Sequence, residues 1–144
     1  AYKNPVAETD YISHGSLKNP LTPSDRLFLN LSYNGTTNEK GRSWKYDFTF
    51  NHVGEQRIPS TQDNPQQYRL PNISDKLNLI NTQITRVFSD SFQLYLGVEN
   101  LTNYRQENII IASDDPFGQY FDATYIYGPI FGRATYIGLR YYIK

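Results

Sequence analysis

Residues 43 to 53 read SWKYDFTFNHV, and this stretch decides the fold class. Trp44, Tyr46, Phe48 and Phe50 fall on one parity, and Ser43, Lys45, Asp47, Thr49 and Asn51 on the other. A helix would scatter those rings around its circumference, whereas a strand points alternate side chains to opposite faces. Working outward, the same alternation recurs in Arg26 to Tyr33, with Leu27, Leu29, Leu31 and Tyr33 against Arg26, Phe28, Asn30 and Ser32. It returns after Ser91, with Phe92, Leu94, Leu96 and Val98 against Gln93, Tyr95, Gly97 and Glu99. The end of the chain repeats it, with Ile137, Leu139, Tyr141 and Ile143 against Tyr136, Gly138, Arg140, Tyr142 and Lys144. Lys76 to Phe88 departs from it, since Leu77 and Leu79 lie on one parity and Ile80, Ile84 and Phe88 on the other. An extra residue switches the face of a strand, so a bulge is predicted near Leu79 and Ile80. The chain reads as all-β, with five antiparallel strands.

The connections alternate in length. Residues 35–41 (GTTNEKG) and 89–91 (SDS) are short polar turns, while residues 1–25, 54–75 and 104–132 are long. Loops beyond about 12–15 residues without structure of their own are uncommon in compact domains. Strictly alternating short and long connections match a transmembrane β-barrel with short periplasmic turns and long outer loops. The strand lengths also suit a tilted crossing, which takes about 9–11 residues.

Composition narrows the function classes. The 144 residues amount to one domain's worth of chain, with 14 Lys plus Arg against 14 Asp plus Glu, the charges in ones and twos with no run of four. A nucleic-acid binder would show a basic excess or stripe, so no nucleic-acid partner is expected. The absence of cysteine excludes a disulfide scaffold, a thiolate zinc site and a cysteine nucleophile. Apolar runs such as Ile109 to Ala112 are far shorter than the roughly 20 residues of a spanning helix. The opening AYKNPVAETD has neither a basic leader nor an apolar core, so no signal peptide is expected and the chain reads as mature or cut from something larger.

The 13 Tyr and 8 Phe are many for a chain of mean hydropathy −0.63. Amphipathic rings favour the membrane interface, and barrels carry girdles of them at both rims of the apolar band. Tyr33, Trp44, Tyr46, Phe88 and Phe92 flank the two short turns, and Tyr141 and Tyr142 end the last strand, so all are expected at one periplasmic edge. The polar set, including Lys45, Asp47, Glu99 and Arg140, would then face a wet or plugged lumen. The competing reading is a soluble β-sandwich acting as a carbohydrate-binding module, whose rings would form a core between two sheets.

Several segments together resemble the C-terminal end of TonB-dependent outer-membrane receptors in the style common in Bacteroidota. They are LNLINTQITRVF (77–88), YLGVENLTNYRQ (95–106), FDATYIYGPIFGR (121–133) and ATYIGLRYYIK (134–144). The upstream LTPSDRLFLNLSYN (21–34) and WKYDFTFNHVGEQRIP (44–59) are similar to the strands that precede these in that family. The resemblance covers essentially the whole chain and is specific in combination; ENLTN alone is only a strand end and a turn. It implies a 22-stranded barrel in the cell outer membrane, plugged by an N-terminal globular domain, importing an extracellular nutrient with energy from the TonB complex. This chain would be about the last five strands, residues 1–144, with the plug and TonB contact in parts not included here. Implied partners are the remaining strands and plug of the same receptor, the TonB complex, outer-membrane lipid and a surface lipoprotein. At roughly 29 residues per strand, ~22 strands need on the order of 640 residues before any plug. Such barrels usually end on an aromatic residue; this chain departs from that by ending on Lys144 after Tyr141, Tyr142 and Ile143.

The search for chemistry is sparse. His14 and His52 sit in no metal-ligand spacing, and no glycine-rich phosphate cradle is found around Gly128 and Gly132. Asp114, Asp115 and Asp122 have the oxygen chemistry a hard cation uses, but a solvated turn before Pro116 is the plainer reading. No catalytic residue, metal site or cofactor is expected, and the chain is read as not an enzyme. The stretch from Tyr104 to Arg133 holds Phe117, Tyr120, Phe121, Tyr125, Tyr127 and Phe131. Rings on a loop either stack on a ligand or pack to hold the loop in shape. Phe121 to Arg133 belong to the family-like pattern and are assigned to packing; Phe117 and Tyr120 are the ligand-binding candidates.

Overall fold

The computed structural model describes residues 19–143 of the chain. His14 and Lys144 lie outside the described residues, as does most of the 1–25 connection. Five strands are formed: β1 (Arg26–Asn34), β2 (Ser43–Val53), β3 (Leu77–Ser89), β4 (Phe92–Glu99) and β5 (Ala134–Tyr141). They make one sheet in the order β1-β2-β3-β4-β5, so each strand neighbours the next in sequence. The all-β, antiparallel reading therefore holds. The only helical turn among the described residues is a 3-10 turn at Gln66–Tyr68, and no helix there is long and apolar enough to cross a membrane.

The register shows how the alternation is used. Leu94 lies opposite Arg86 on one side and Leu139 on the other; Leu96 lies opposite Ile84 and Ile137. Directly opposed residues share a face, so the apolar parity of each strand joins into one surface. The other face carries Gln83, Thr85, Gln93, Tyr95, Tyr136 and Arg140. Its polar side chains bond across strands. Asn30 donates to Thr49 at 2.9 Å and Ser32 to Asp47 at 2.6 Å, linking β1 to β2. On the parity of Trp44 to Phe50, His52 Nδ1 and Asn78 Oδ1 are 2.6 Å apart between β2 and β3.

The register shift in the β3–β4 ladder lies between Val87 and Ser89, at the hairpin; the bulge expected near Leu79 and Ile80 falls before that ladder begins at Thr82. Beside Ile80 it is the facing segment that bends. Asn100 adopts a left-handed φ of 50°, and the Leu101 amide donates to the Ile80 carbonyl at 2.7 Å. Leu77, on the opposite parity to Ile84, is buried.

By contacts the chain divides into two compact units. One holds the sheet: residues 26–52, 78–104 and 131–143. The other holds residues 19–25 with Val53–Leu77 and Arg105–Ile130, so the long connections condense with one another. The hydrophobic cluster of the molecule is in this loop unit. Ile58, Ile111, Ala112 and Tyr125 are buried there, with Tyr68, Leu70, Tyr120 and Tyr127 packed against them. The sheet is the reverse case: all nine residues of β1 are exposed, and Ile137, Leu139 and Tyr141 of β5 are 72%, 65% and 66% exposed.

Candidate functional site

Two places concentrate chemistry, one in each unit. In the sheet, the aromatic residues beside the short turns form a continuous band on the apolar face. Tyr33 of β1 lies 6.1 Å from Tyr46 of β2, ring to ring, and Trp44 stacks 6.4 Å from Tyr46 with 21° between planes. Phe88 of β3 lies 5.5 Å from Phe92 of β4, and Phe92 is the register partner of Tyr141 of β5. Six of the seven residues singled out from the sequence for this edge, all but Tyr142, are thus brought together across the five strands. Arg86, which sequence reasoning passed over, closes the gap between β2 and β3. Its guanidinium carbon is 4.7 Å from the Trp44 ring centre and 5.7 Å from that of Phe88. Its position between Ile84 and Phe88 on one parity, four residues before Asp90, was the available signal.

On the opposite face two tyrosines cross two glycines. Gly97 lies opposite Tyr136, and Gly138 opposite Tyr95. A Cβ built on Gly97 would overlap the Tyr136 ring, and one on Gly138 the Tyr95 ring. The glycines let each ring lie flat over the neighbouring strand, and the two rings meet edge to face at 6.2 Å. Tyr136 thereby reaches past β4 and donates to the Gln83 side chain of β3 at 3.1 Å. Asp47, Thr49, Asn81, Thr82, Gln83 and Tyr136 border a shallow polar hollow of about 170 Å³ here.

The second place is the loop unit. Ile111 and Asp122 form a two-way backbone bridge, the Ile111 amide donating at 2.9 Å and the Asp122 amide at 3.2 Å. Residues 113–121 close above this clamp in successive turns. Phe117 stands on them fully exposed, at 100%. Tyr120 does not accompany it: its ring packs 6.1 Å from Tyr68 against the buried cluster. The Tyr68 hydroxyl donates to Asp114 at 2.9 Å. Gln67, Arg69, Leu70, Asn108 and Ile110 join Tyr68 and Asp114 around a cleft of about 230 Å³. Of the rings assigned to packing, Tyr125 and Tyr127 serve the cluster, while Phe121 and Phe131 are exposed.

Asp114, Asp115 and Asp122 are not gathered around one point. Asp114 accepts from Tyr68, Asp122 accepts from the amide and hydroxyl of Thr124, and no metal-holding group of three is found among the described residues.

What shapes the loops is a set of buried amides and hydroxyls. Gln106 is 4% exposed; its side chain donates to the Tyr125 carbonyl at 2.6 Å and accepts from the Tyr127 and Gly128 amides at 2.8 and 3.0 Å. Asn100 donates to the Tyr104 carbonyl at 2.7 Å and the Phe131 carbonyl at 3.3 Å, while accepting from the Tyr104 amide at 3.0 Å. Thr61 and Ser74 accept from the Leu70 and Gln56 amides in the same way. These side chains satisfy backbone groups that no ladder reaches. Nothing in the sequence pattern marks them, because any loop contains Gln, Asn, Ser and Thr.

Comparison with family models, with curated proteins and with solved structures finds no match to this chain.

Proposed function

We propose that this chain is a five-stranded portion of a TonB-dependent outer-membrane receptor barrel, the part near its C-terminus, and that the whole receptor imports an extracellular nutrient. The observation that carries the reading is the exposed apolar face of the sheet, rimmed at the short-turn edge by the Tyr33–Trp44–Tyr46–Phe88–Phe92–Tyr141 band. A water-soluble sheet buries its apolar face, because each large side chain withdrawn from water contributes about 1.5–3 kcal/mol. Here the buried cluster is in the loops and the sheet's rows of Leu, Ile and aromatic residues lie open. In a bilayer that arrangement is the favourable one: polar set inward, apolar set to lipid, rings at the headgroups. A strand of about ten residues rising ~3.3 Å each and tilted by ~40° spans about 25 Å, the height of the apolar band. The five strands have 9, 11, 13, 8 and 8 residues.

The strand order leaves one side of β1 and one side of β5 for further strands. An unpaired edge in hydrocarbon costs several kcal/mol for each bare N–H or C=O, so closure by other strands of the receptor is required. In this reading Phe117 and the cleft beside Tyr68 are the places on this chain offered to incoming ligand. The plug and the TonB complex supply gating and energy. No residue of this chain performs catalysis.

A denaturing immunoblot of native membranes, with an antibody to residues 54–75, tests the reading. The expected result is a band far larger than 16.7 kDa in the detergent-resistant outer-membrane fraction. A 16.7 kDa band in the soluble fraction would sink it and favour the sandwich binding module.

A further inference from the structure

We infer that Arg86 forms, with Trp44 and Phe88, a binding site for the headgroup of an anionic phospholipid in the leaflet that meets the short turns. The inference rests on the barrel reading and extends it by giving the rim a specific lipid contact.

Arg86 is a full charge on the apolar face. It lies opposite Leu94, which in turn lies opposite Leu139, and Ile84 precedes it on the same parity. In a bilayer a cation at the middle of such a face is strongly disfavoured, and near the interface it is tolerated. Arg86 is at the tolerated depth, three residues before Ser89, where β3 ends at the hairpin. Its only described partners are rings: Trp44 at 4.7 Å and Phe88 at 5.7 Å. Rings engage the flat face of a guanidinium and hold it in position. The N–H donors lie in the plane of the group, and among the described residues none of them meets a carboxylate or carbonyl. A planar fork of unsatisfied donors, immobilised by rings and set at headgroup depth, matches a phosphodiester, whose oxygens accept two parallel bonds. Lys40 and Arg42 balance Glu39 and Asp90 in the adjoining turns, which leaves Arg86 as the uncompensated charge among these residues. A phospholipid with net negative charge is therefore favoured over a zwitterionic one.

The test uses the full-length protein that carries this chain, purified in mild detergent, and native mass spectrometry with added phosphatidylglycerol or phosphatidylcholine. The wild type is expected to retain phosphatidylglycerol in preference to phosphatidylcholine. Arg86→Gln is expected to bind one phosphatidylglycerol fewer, or that one about tenfold more weakly, since a charge-assisted pair is worth at least 1.4 kcal/mol. Arg86→Lys keeps the charge but loses the fork, and is expected to fall between the two. Equal phosphatidylglycerol retention by wild type and Arg86→Gln, with both in the membrane, overturns the inference and leaves the barrel standing. Should Arg86→Gln fail to insert, retention by Arg86→Lys equal to wild type overturns it in the same way. A wild-type protein that stays soluble and retains no lipid overturns the barrel reading itself, and the lipid site with it.

Discussion

Replacing Gln106 by Leu removes a single buried side chain that holds three backbone groups of a different segment. The substitution is close in volume, so packing changes little and the hydrogen bonds are what is lost. Two amides, Tyr127 and Gly128, and one carbonyl, Tyr125, are left without the partner they had. A fully buried orphan costs about 1–3 kcal/mol. Tyr127 and Gly128 are half-buried, so water reaches part of the gap and the lower figure applies to each, giving about 3 kcal/mol in all. The loss is local, because the backbone bond from the Gln106 amide to the Pro129 carbonyl at 2.9 Å is untouched. Amide hydrogen exchange on the intact protein reads it directly. A loss of 3 kcal/mol corresponds to roughly 150-fold faster exchange at the Tyr127 and Gly128 amides, while the Leu94 and Leu96 amides of the β4 ladder keep their rates. Exchange at 127 and 128 within about threefold of wild type would refute the assignment of Gln106 as the clamp. Equal acceleration across β4 would refute the local character of the effect.

Further outcomes follow from the same contacts. Asn100→Ala loses both the side-chain bonds and tolerance of φ 50°, whereas Asn100→Gly loses only the bonds, so thermal unfolding should rank wild type above Gly above Ala, with Ala down by about 2–4 kcal/mol; an Ala variant as stable as Gly would contradict it. Gly97→Ala forces the Tyr136 ring aside and should lower stability by about 1–3 kcal/mol, and Tyr136→Ser in the same chain should recover most of it; absence of recovery in thermal unfolding would count against the crossing. Leu96→Arg, in the middle of the apolar face, should cost about 2–4 kcal/mol in lipid refolding titrations while Tyr33→Arg, at the rim, costs about 0–1; equal costs would argue against a bilayer around this face. Phe117→Ser should leave protease resistance of the loops unchanged and weaken ligand uptake, while Tyr120→Ser should increase cleavage within residues 105–130; the opposite ranking would reverse the roles of the two rings.

Strand identity was legible because period-two alternation is a local signal. The 43–53 strand begins and ends where SWKYDFTFNHV does, and the strand after Ser91 begins at Phe92. The edge residues were legible as well: short turns name their flanking positions, and five rings next to two turns, with Tyr141 at the end of the last strand, must share an edge in an antiparallel meander. Parity records only which face a residue takes, so it told neither that Leu77 is buried nor that the register shift of the β3–β4 ladder falls between Val87 and Ser89. Phe117 and Tyr120 were indistinguishable as letters in a loop. They separate only through the Ile111–Asp122 clamp, which raises one ring to solvent and turns the other toward Tyr68.

By itself, the sequence determined that the chain is five antiparallel strands with one apolar and one polar face, short turns at one end and long connections at the other. Those are consequences of neighbours one and two residues apart, where side-chain direction is dictated by the backbone. The tertiary structure decided everything that depends on residues far apart in sequence. It brought residues 53–77 and 105–130 into one compact loop unit, made Gln106 the support of 125–128, set Tyr136 across Gly97 onto Gln83, and fitted Arg86 between Trp44 and Phe88. Each of these is a meeting of groups 20 or more residues apart or on different strands, and no local periodicity encodes which partner such a group will find.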